Sequence, residues 1–321
     1  MELRPLGRSG MKVSALALGT MNFGADWHGI GAIDDKAASS LLDVAIERGV
    51  NLIDTADIYG RGAAEEMLGR LLKGRRRGKV LLATKVLGQM RPGEAGSGGL
   101  SARWIARALD DSLRRLRTDR VELYMPHGWD PEIPLEETLE ALDRAVRAGK
   151  VRVLGCSNFS GAQLDASLKG AAAGGRARFE FDQVQYSLVA RFAERDLVPV
   201  AEPAGVSLLA WSPLAGGLLT GKYAAPGAAG RRSASGAFPF VAAAPGAAAV
   251  DVLRRVAALE GATPAQAALA WIMGKPFVAA AVVGARMRAQ LEEVLEARPL
   301  SARGAFLLDR ASALLGGSFG C

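Results

Sequence analysis

Four side chains in this sequence have the types and the order to move a proton beside a polar bond: Asp54, Tyr59, Lys85 and His127. A phenol with a pKa near ~10 exchanges its proton poorly at neutral pH. A neighbouring ammonium favours the phenolate and lowers that pKa, and a carboxylate keeps the ammonium charged and aimed. An imidazole can then hydrogen-bond the substrate oxygen. Together the groups make a site suited to reducing a carbonyl. Singly, each has a plain structural reading. Asp54 could cap a turn, Lys85 could be an exposed strand end, Tyr59 a packing residue with a wet hydroxyl and His127 a satisfied interior histidine. Their common placement weakens that reading, because each lies at or just after the end of a short apolar run.

Those runs begin near Ala15, Asn51, Val80, Glu122, Arg152, Gln183, Ser207 and Ala279, are rich in Val, Leu and Ile, and alternate with helix-period stretches. Parallel strands covered on both faces read in this way. The spacing predicts helices over 35–48, over 101–116 with Ser101 as N-cap, and over 135–148 before Gly149. Eight strand–helix units predict a (β/α)8 TIM barrel, in which chemistry gathers at the C-terminal strand ends. Residues 2–13 read as an N-terminal β-hairpin capping the lower end. No linker or repeat divides the chain, so residues 1–321 are expected to form one domain. A doubly wound nucleotide fold would need G-x-G-x-x-G after the first strand. Gly19-Thr20-Met21-Asn22 stands there instead, and the glycine-rich 93–99 segment lacks a phosphate-loop Lys-Ser/Thr pair.

Composition narrows the function classes. The 321 residues are 50% hydrophobic and 23% charged, ordinary for a globular enzyme. The net charge of +7 has its densest run at 73–79, read as a solvated helix C-terminus, and no basic stripe interleaves with aromatics. Nucleic acid is therefore not an expected partner. Two cysteines and two histidines give neither a disulfide framework nor metal-like clustering, and Cys156 reads as a small core residue. The N-terminus lacks the apolar core of a signal peptide and no stretch reaches a membrane span, so a cytoplasmic protein is expected. No helix or strand is marked for a partner chain.

Several segments in register resemble the aldo-keto reductase superfamily. They are Asp54-Thr55-Ala56-Asp57-Ile58-Tyr59-Gly60, Leu123-Tyr124-Met125-Pro126-His127, and Gly149-Lys150-Val151-Arg152 followed by Gly155-Cys156-Ser157-Asn158-Phe159. The opening 6–10 and 18–21, and the 210–222 stretch, resemble the family's first hairpin and strand and its seventh strand with phosphate loop. The resemblance implies a catalytic tetrad of Asp54, Tyr59, Lys85 and His127, with Tyr59 as general acid, and NADPH as cofactor. It implies that Gly19, Thr20, Met21 and Asp54 border the cofactor. Ser157, Asn158 and Gln183 would hold the nicotinamide carboxamide, with the ring on Trp211. Ser212, Pro213, Leu214, Gly216, Leu218 and Lys222 would follow the pyrophosphate, and Gly284, Arg286, Gln290 and Glu293 the adenosine end. Val294 departs from the asparagine often found there, and only Arg286 and Arg288 supply the basic clamp.

The resemblance leaves the substrate open among aldehydes, ketones and keto-sugars. Its pocket is expected from loops 23–34, 88–100 and 128–134, with Trp27 and Trp129 as aromatic contacts beside Tyr59 and His127. Two alternatives stand beside a general carbonyl reductase: a biosynthetic reductase of a sugar nucleotide or enone, and a cofactor-binding regulatory subunit like the β subunits of potassium channels. The lack of an N-terminal extension counts against the latter. Residues 223–249, rich in Gly, Ala, Pro and Ser and without periodicity, are expected to fold over the pyrophosphate as a lid.

Overall fold

The computed structural model describes residues 1–222 and 243–313, the first five of the second stretch by backbone alone. Two short strands, β1 (Leu3–Pro5) and β2 (Lys12–Ser14), pair antiparallel in the expected hairpin. The eight parallel strands are β3 (Leu16–Gly19), β4 (Leu52–Asp54), β5 (Leu81–Val86), β6 (Val121–Pro126), β7 (Val151–Ser157), β8 (Phe179–Gln185), β9 (Ser207–Trp211) and β10 (Val278–Val283). They close into a barrel in the order β10-β3-β4-β5-β6-β7-β8-β9. Around it run α1 (Asp35–Glu47), α2 (Ala63–Leu71), α3 (Ala102–Leu116), α4 (Leu135–Arg147), α5 (Gly161–Ala173), α6 (Ala193–Asp196), α7 (Val198–Ala204), α8 (Ala243–Leu259), α9 (Pro264–Met273), α10 (Arg288–Leu295) and α11 (Ala302–Ala313). The protein is thus a (β/α)8 barrel with an N-terminal hairpin.

Strand alternation separates two apolar layers. Ala17, Leu52, Ala83, Leu123, Val153, Phe181 and Leu209 form one buried cluster with Leu6 and Val13 of the hairpin. Successive strand residues point to opposite faces, so these fill the barrel while their neighbours meet the helices. Gly155 makes room for Phe181, since a Cβ there would lie 2.4 Å from the phenyl ring. The hairpin is bonded to the strands' lower ends: Gly7 N donates to Ser207 Oγ at 2.9 Å and Arg8 N to Glu180 Oε2 at 2.7 Å. It therefore seals the end opposite the predicted site.

The helices begin where capping chemistry allows. Ser101 Oγ accepts from Trp104 N, and Asp34 Oδ1 from Ala37 N at 2.8 Å, each satisfying a donor the helix leaves unpaired.

Three sequence expectations need correction. Seven strands start within one residue of their expected position, but β8 starts at Phe179, four residues before Gln183. Phe179 and Phe181 are buried and alternate with Glu180 and Asp182, so the strand's start shows period two and not an apolar run. The basic run is not a freely solvated helix end: Arg76 pairs with Asp43 at 2.6 Å and Arg77 with Glu122 at 3.0 Å, tying the chain before β5 to its neighbours. The aperiodic stretch is shorter than expected, because α8 already begins at Ala243, where alanine-rich sequence favours helix. The rest of the expected lid, 223–242, lies outside the described residues, as does Cys321.

Candidate active site

Each of the four residues sits at the upper end of a strand or in the turn above it. Asp54 ends β4, Lys85 is the penultimate residue of β5 and His127 follows β6 directly. Tyr59 opens the 3-10 turn Tyr59–Gly62 above β4. Adjacent strands β4, β5 and β6 therefore bring the four together, as the sequence predicted. Lys85 Nζ donates to Asp54 Oδ1 and Oδ2 at 2.9 and 2.8 Å, to the Thr55 carbonyl at 2.7 Å and to the Tyr59 hydroxyl at 3.3 Å. Lys85 is fully buried, Asp54 nearly so, and Tyr59 and His127 are half-buried at the opening. Their rings meet edge-on with centroids 5.8 Å apart.

The electrostatics differ in one respect from the sequence argument. Burial disfavours the Lys85 ammonium, but Asp54 and then Tyr59 outweigh it and raise its pKa above the usual lysine value. Burial also raises the Tyr59 phenol above its ordinary value; Lys85 opposes this without cancelling it. The expected net lowering is thus absent, and Tyr59 is held protonated. His127 is pushed down to about 3 by burial and by the Lys85 charge, which fixes a neutral imidazole.

The residues ascribed to the nicotinamide end are also brought together. Asn158, at φ 59°, has its Nδ2 donate to the His127 carbonyl at 3.0 Å and to Ser157 Oγ at 3.1 Å. Its Oδ1 accepts from Trp211 Nε1 at 2.8 Å. Ser157 Oγ donates to the Gln183 carbonyl at 2.7 Å. Gln183 does more than the sequence suggested: its Nε2 donates to Asp54 Oδ1 at 2.7 Å, joining this group to the acid. Below them Asp182 is fully buried, with its carboxyl raised to about 7 by burial. Burial and Asp182 likewise push the Cys156 thiol up, in keeping with a core residue.

The flanking loops continue around the same rim. Thr20 N and Oγ1 both donate to the Asp54 carbonyl, at 3.0 and 2.9 Å, so the Gly19-Thr20-Met21 turn abuts the acid. After β9, Ser212 and Ala215 have left-handed φ, as do Gly216 and Gly217, and Ser212 Oγ accepts from Gly216 N at 3.2 Å. Pro213, Leu214 and Leu218 belong to this turn, and Lys222 follows it exposed. Past β10, Gly284 and Arg286 are exposed, and Gln290 Oε1 accepts from Arg286 N at 3.0 Å. Glu293 engages the fold through its carbonyl, which accepts from Gln266 Nε2 at 2.8 Å. Arg288 is paired to Glu292 at 2.8 Å, leaving Arg286 as the more available cation of the expected clamp.

The two tryptophans behave differently. Trp27 is half-buried, with His28 as its ring neighbour among the described residues, edge-on at 5.0 Å. Trp129 packs edge-on against Phe159 at 5.3 Å and so contributes to the packing beside β7 and β8. Sequence reasoning missed two long-range features. Asn22 Nδ2 donates to the Ala285 carbonyl at 3.0 Å, and a Cβ on Gly31 would lie 2.8 Å from Arg286 Nη2. The loop bearing Trp27 thus meets the expected adenosine end, a contact between residues so distant in sequence that local patterning carries no trace of it.

A barrel with this rim defines a class, and comparison with known proteins gives the family. Residues 15–311 match the Aldo/keto reductase family, and the chain belongs to it. It is 39% identical to an uncharacterized oxidoreductase, YrpG, of Bacillus subtilis, over 94% of this chain and 92% of that protein. It is 34% identical to a probable voltage-gated potassium channel subunit beta of Arabidopsis thaliana, over 92% and 91%. With versiconal hemiacetal acetate reductase of Aspergillus parasiticus it shares 32% identity, over 86% of each chain. No helix among the described residues is long and apolar enough to cross a membrane. The family and these relatives make the chain an oxidoreductase, and the family generally uses nicotinamide cofactors.

Proposed function

We propose that this protein reduces a carbonyl compound, an aldehyde, ketone or keto-sugar, to an alcohol with NADPH, Tyr59 delivering the proton. The observation that carries this reading is the buried Lys85 ammonium bonded at once to Asp54 and to the Tyr59 hydroxyl. The donor set fits the cofactor. Ser157, Asn158 and Gln183 supply the amide and hydroxyl groups that a carboxamide needs, and Trp211 offers an aromatic face. At Gly216 and Gly217 no side chain keeps a pyrophosphate from the backbone. When bound, the reduced nicotinamide supplies the hydride that reaches the carbonyl carbon.

This chain's residues do the rest. As negative charge grows on the carbonyl oxygen, the Tyr59 hydroxyl donates its proton there. The phenolate left behind is stabilised by Lys85, which Asp54 keeps charged. Neutral His127 donates a hydrogen bond to the same oxygen, orienting it without adding a charge. Gln183 holds Asp54 from the other side.

These states predict a pH profile. Tyr59 stays protonated to above its ordinary value, and His127 stays neutral down to about 3. Reductive kcat/KM at saturating cofactor is then expected to be level from about pH 5 to 9 and to fall only on the alkaline side. An inflection near neutrality that His127→Asn removes would contradict the neutral imidazole.

Exposed Arg286 beside the expected adenosine end supports NADPH over NADH. Losing one charge-assisted contact weakens binding roughly tenfold or more, so Arg286→Ala should lose about that factor for NADPH and little for NADH. Fluorescence titration of both cofactors checks this, and tighter NADH binding by the unaltered protein overturns the NADPH preference.

The identity with the Arabidopsis protein supports a second reading, a regulatory subunit that retains the cofactor site. The reductase of Aspergillus supports the biosynthetic one. NADPH oxidation against aldehydes, ketones and keto-sugars separates them: turnover favours an enzyme, and the preferred substrate says which kind.

A further inference from the structure

Behind the segment that carries Tyr59, a cavity of about 310 Å³ opens between α3, the Tyr59–Gly62 turn and the loop after β5. Arginines dominate its wall, and their partners show how much charge is left over. Arg115 is committed to buried Glu65 at 2.7 Å, and Arg91 to Glu94 at 3.1 Å. Arg107 and Arg114 share one carboxylate, Asp111, which lies 4.0 Å from the Arg107 guanidinium. Arg61 is exposed and forms no ion pair with a described residue. Two guanidiniums on this wall therefore lack a carboxylate of their own.

Two buried polar groups on the same wall also lack partners. Asp57 is fully buried and neither carboxylate oxygen has a hydrogen bond; the indole N–H of Trp104 is buried and unbonded too. Buried polar groups are almost always satisfied, and unsatisfied ones call for an explanation. Burial and then the nearby Glu65 raise the Asp57 carboxyl well above its usual range. The wall thus presents donors short of acceptors.

We propose that this cavity binds the phosphate group of a small phosphorylated metabolite. A dianion matches the two uncompensated guanidiniums, and phosphate oxygens supply acceptors for the exposed Arg61 and Arg107. The cavity reaches the size range of small-molecule pockets, leaving space for an organic remainder beside the phosphate. The site is not part of the cofactor rim but touches its support. Gly60, Arg61 and Gly62 are three successive residues of positive φ, and a Cβ on Gly62 would lie 2.7 Å from Arg115 Cδ. The turn holding Tyr59 is thus packed directly on the cavity wall.

Isothermal titration calorimetry of the full chain with inorganic phosphate, glucose 6-phosphate and glucose tests this. The expected result is saturable binding of glucose 6-phosphate, none of glucose, and a loss of roughly tenfold or more in Arg61→Ala/Arg107→Ala. Both substituted residues are exposed, and circular dichroism establishes that the variant is folded. Arg286→Ala should bind as the unaltered protein does, which separates this cavity from the cofactor site. Tighter binding of glucose 6-phosphate than of phosphate supports a phosphorylated metabolite, and the reverse order overturns that source in favour of the free ion. Absence of saturable binding at millimolar concentration, or loss in Arg286→Ala but not in the double variant, overturns the site altogether.

Discussion

Tyr59→Phe is expected to lower kcat by about 10²–10⁴-fold while leaving NADPH affinity nearly unchanged, the range typical of a positioned acid–base group. The substitution removes one oxygen, which accepts from Lys85 at 3.3 Å. The ring keeps its half-buried seat against His127. Lys85 retains both Asp54 oxygens and the Thr55 carbonyl, so the loss does not orphan a charge. Stability should therefore hardly move, and the cost should fall on turnover. Single-turnover measurement of cofactor oxidation checks this. A variant retaining more than half of the original rate, with chemistry limiting, would remove Tyr59 from the acid role.

Lys85→Met should do the opposite to the fold, and also stop turnover. The pair it breaks is buried on both sides, with Lys85 at 0% and Asp54 at 3% exposure. Removing one member of such a pair leaves an uncompensated charge and costs about 3–5 kcal/mol. Gln183 alone would still donate to Asp54. A double variant, Lys85→Met with Asp54→Leu, removes both charges, and apolar replacement of a whole buried pair is often neutral or stabilising. Chemical denaturation should thus find the double variant more stable than the single one, with neither active. Unaltered stability in Lys85→Met would show that the ammonium is not the counter-ion of a buried Asp54.

The gathering of the four residues on one rim was legible because a parallel barrel turns sequence position into height. A residue at the end of each apolar run must reach the same rim, so Asp54, Lys85 and His127 could be grouped without any knowledge of contacts. Seven strand starts were legible for the same reason, since buried parallel strands are continuous apolar runs. The start of β8 was not, because Glu180 and Asp182 interrupt it. Net charge balance was not legible either: Lys85 lies beside Tyr59 as expected, yet whether the ammonium or the burial prevails on the phenol depends on enclosure, which spacing does not encode. The bond from Gln183 to Asp54, the packing of Trp129 on Phe159 and the contact of Gly31 with Arg286 depend on side-chain reach across the barrel. The shortage of carboxylates among the arginines behind Tyr59 was hidden likewise, because a cation's partner is decided by the three-dimensional neighbourhood.

The order of pairing in the barrel has a bearing on how the chain assembles. β10 bridges β9 and β3, with Ala281 opposite Leu16 and Val283 opposite Leu18. The seam is therefore formed between the first barrel strand and the last. Until β10 is made and docked, β3 and β9 each present an open edge of unpaired backbone groups, a template for joining another chain. Such distant pairing is intrinsically slow, because the entropy of closing a long loop is lost before the contacts repay it. A nascent chain halted short of Val278 has no means of covering either edge from its own sequence, so this barrel is most exposed to aggregation late in its synthesis.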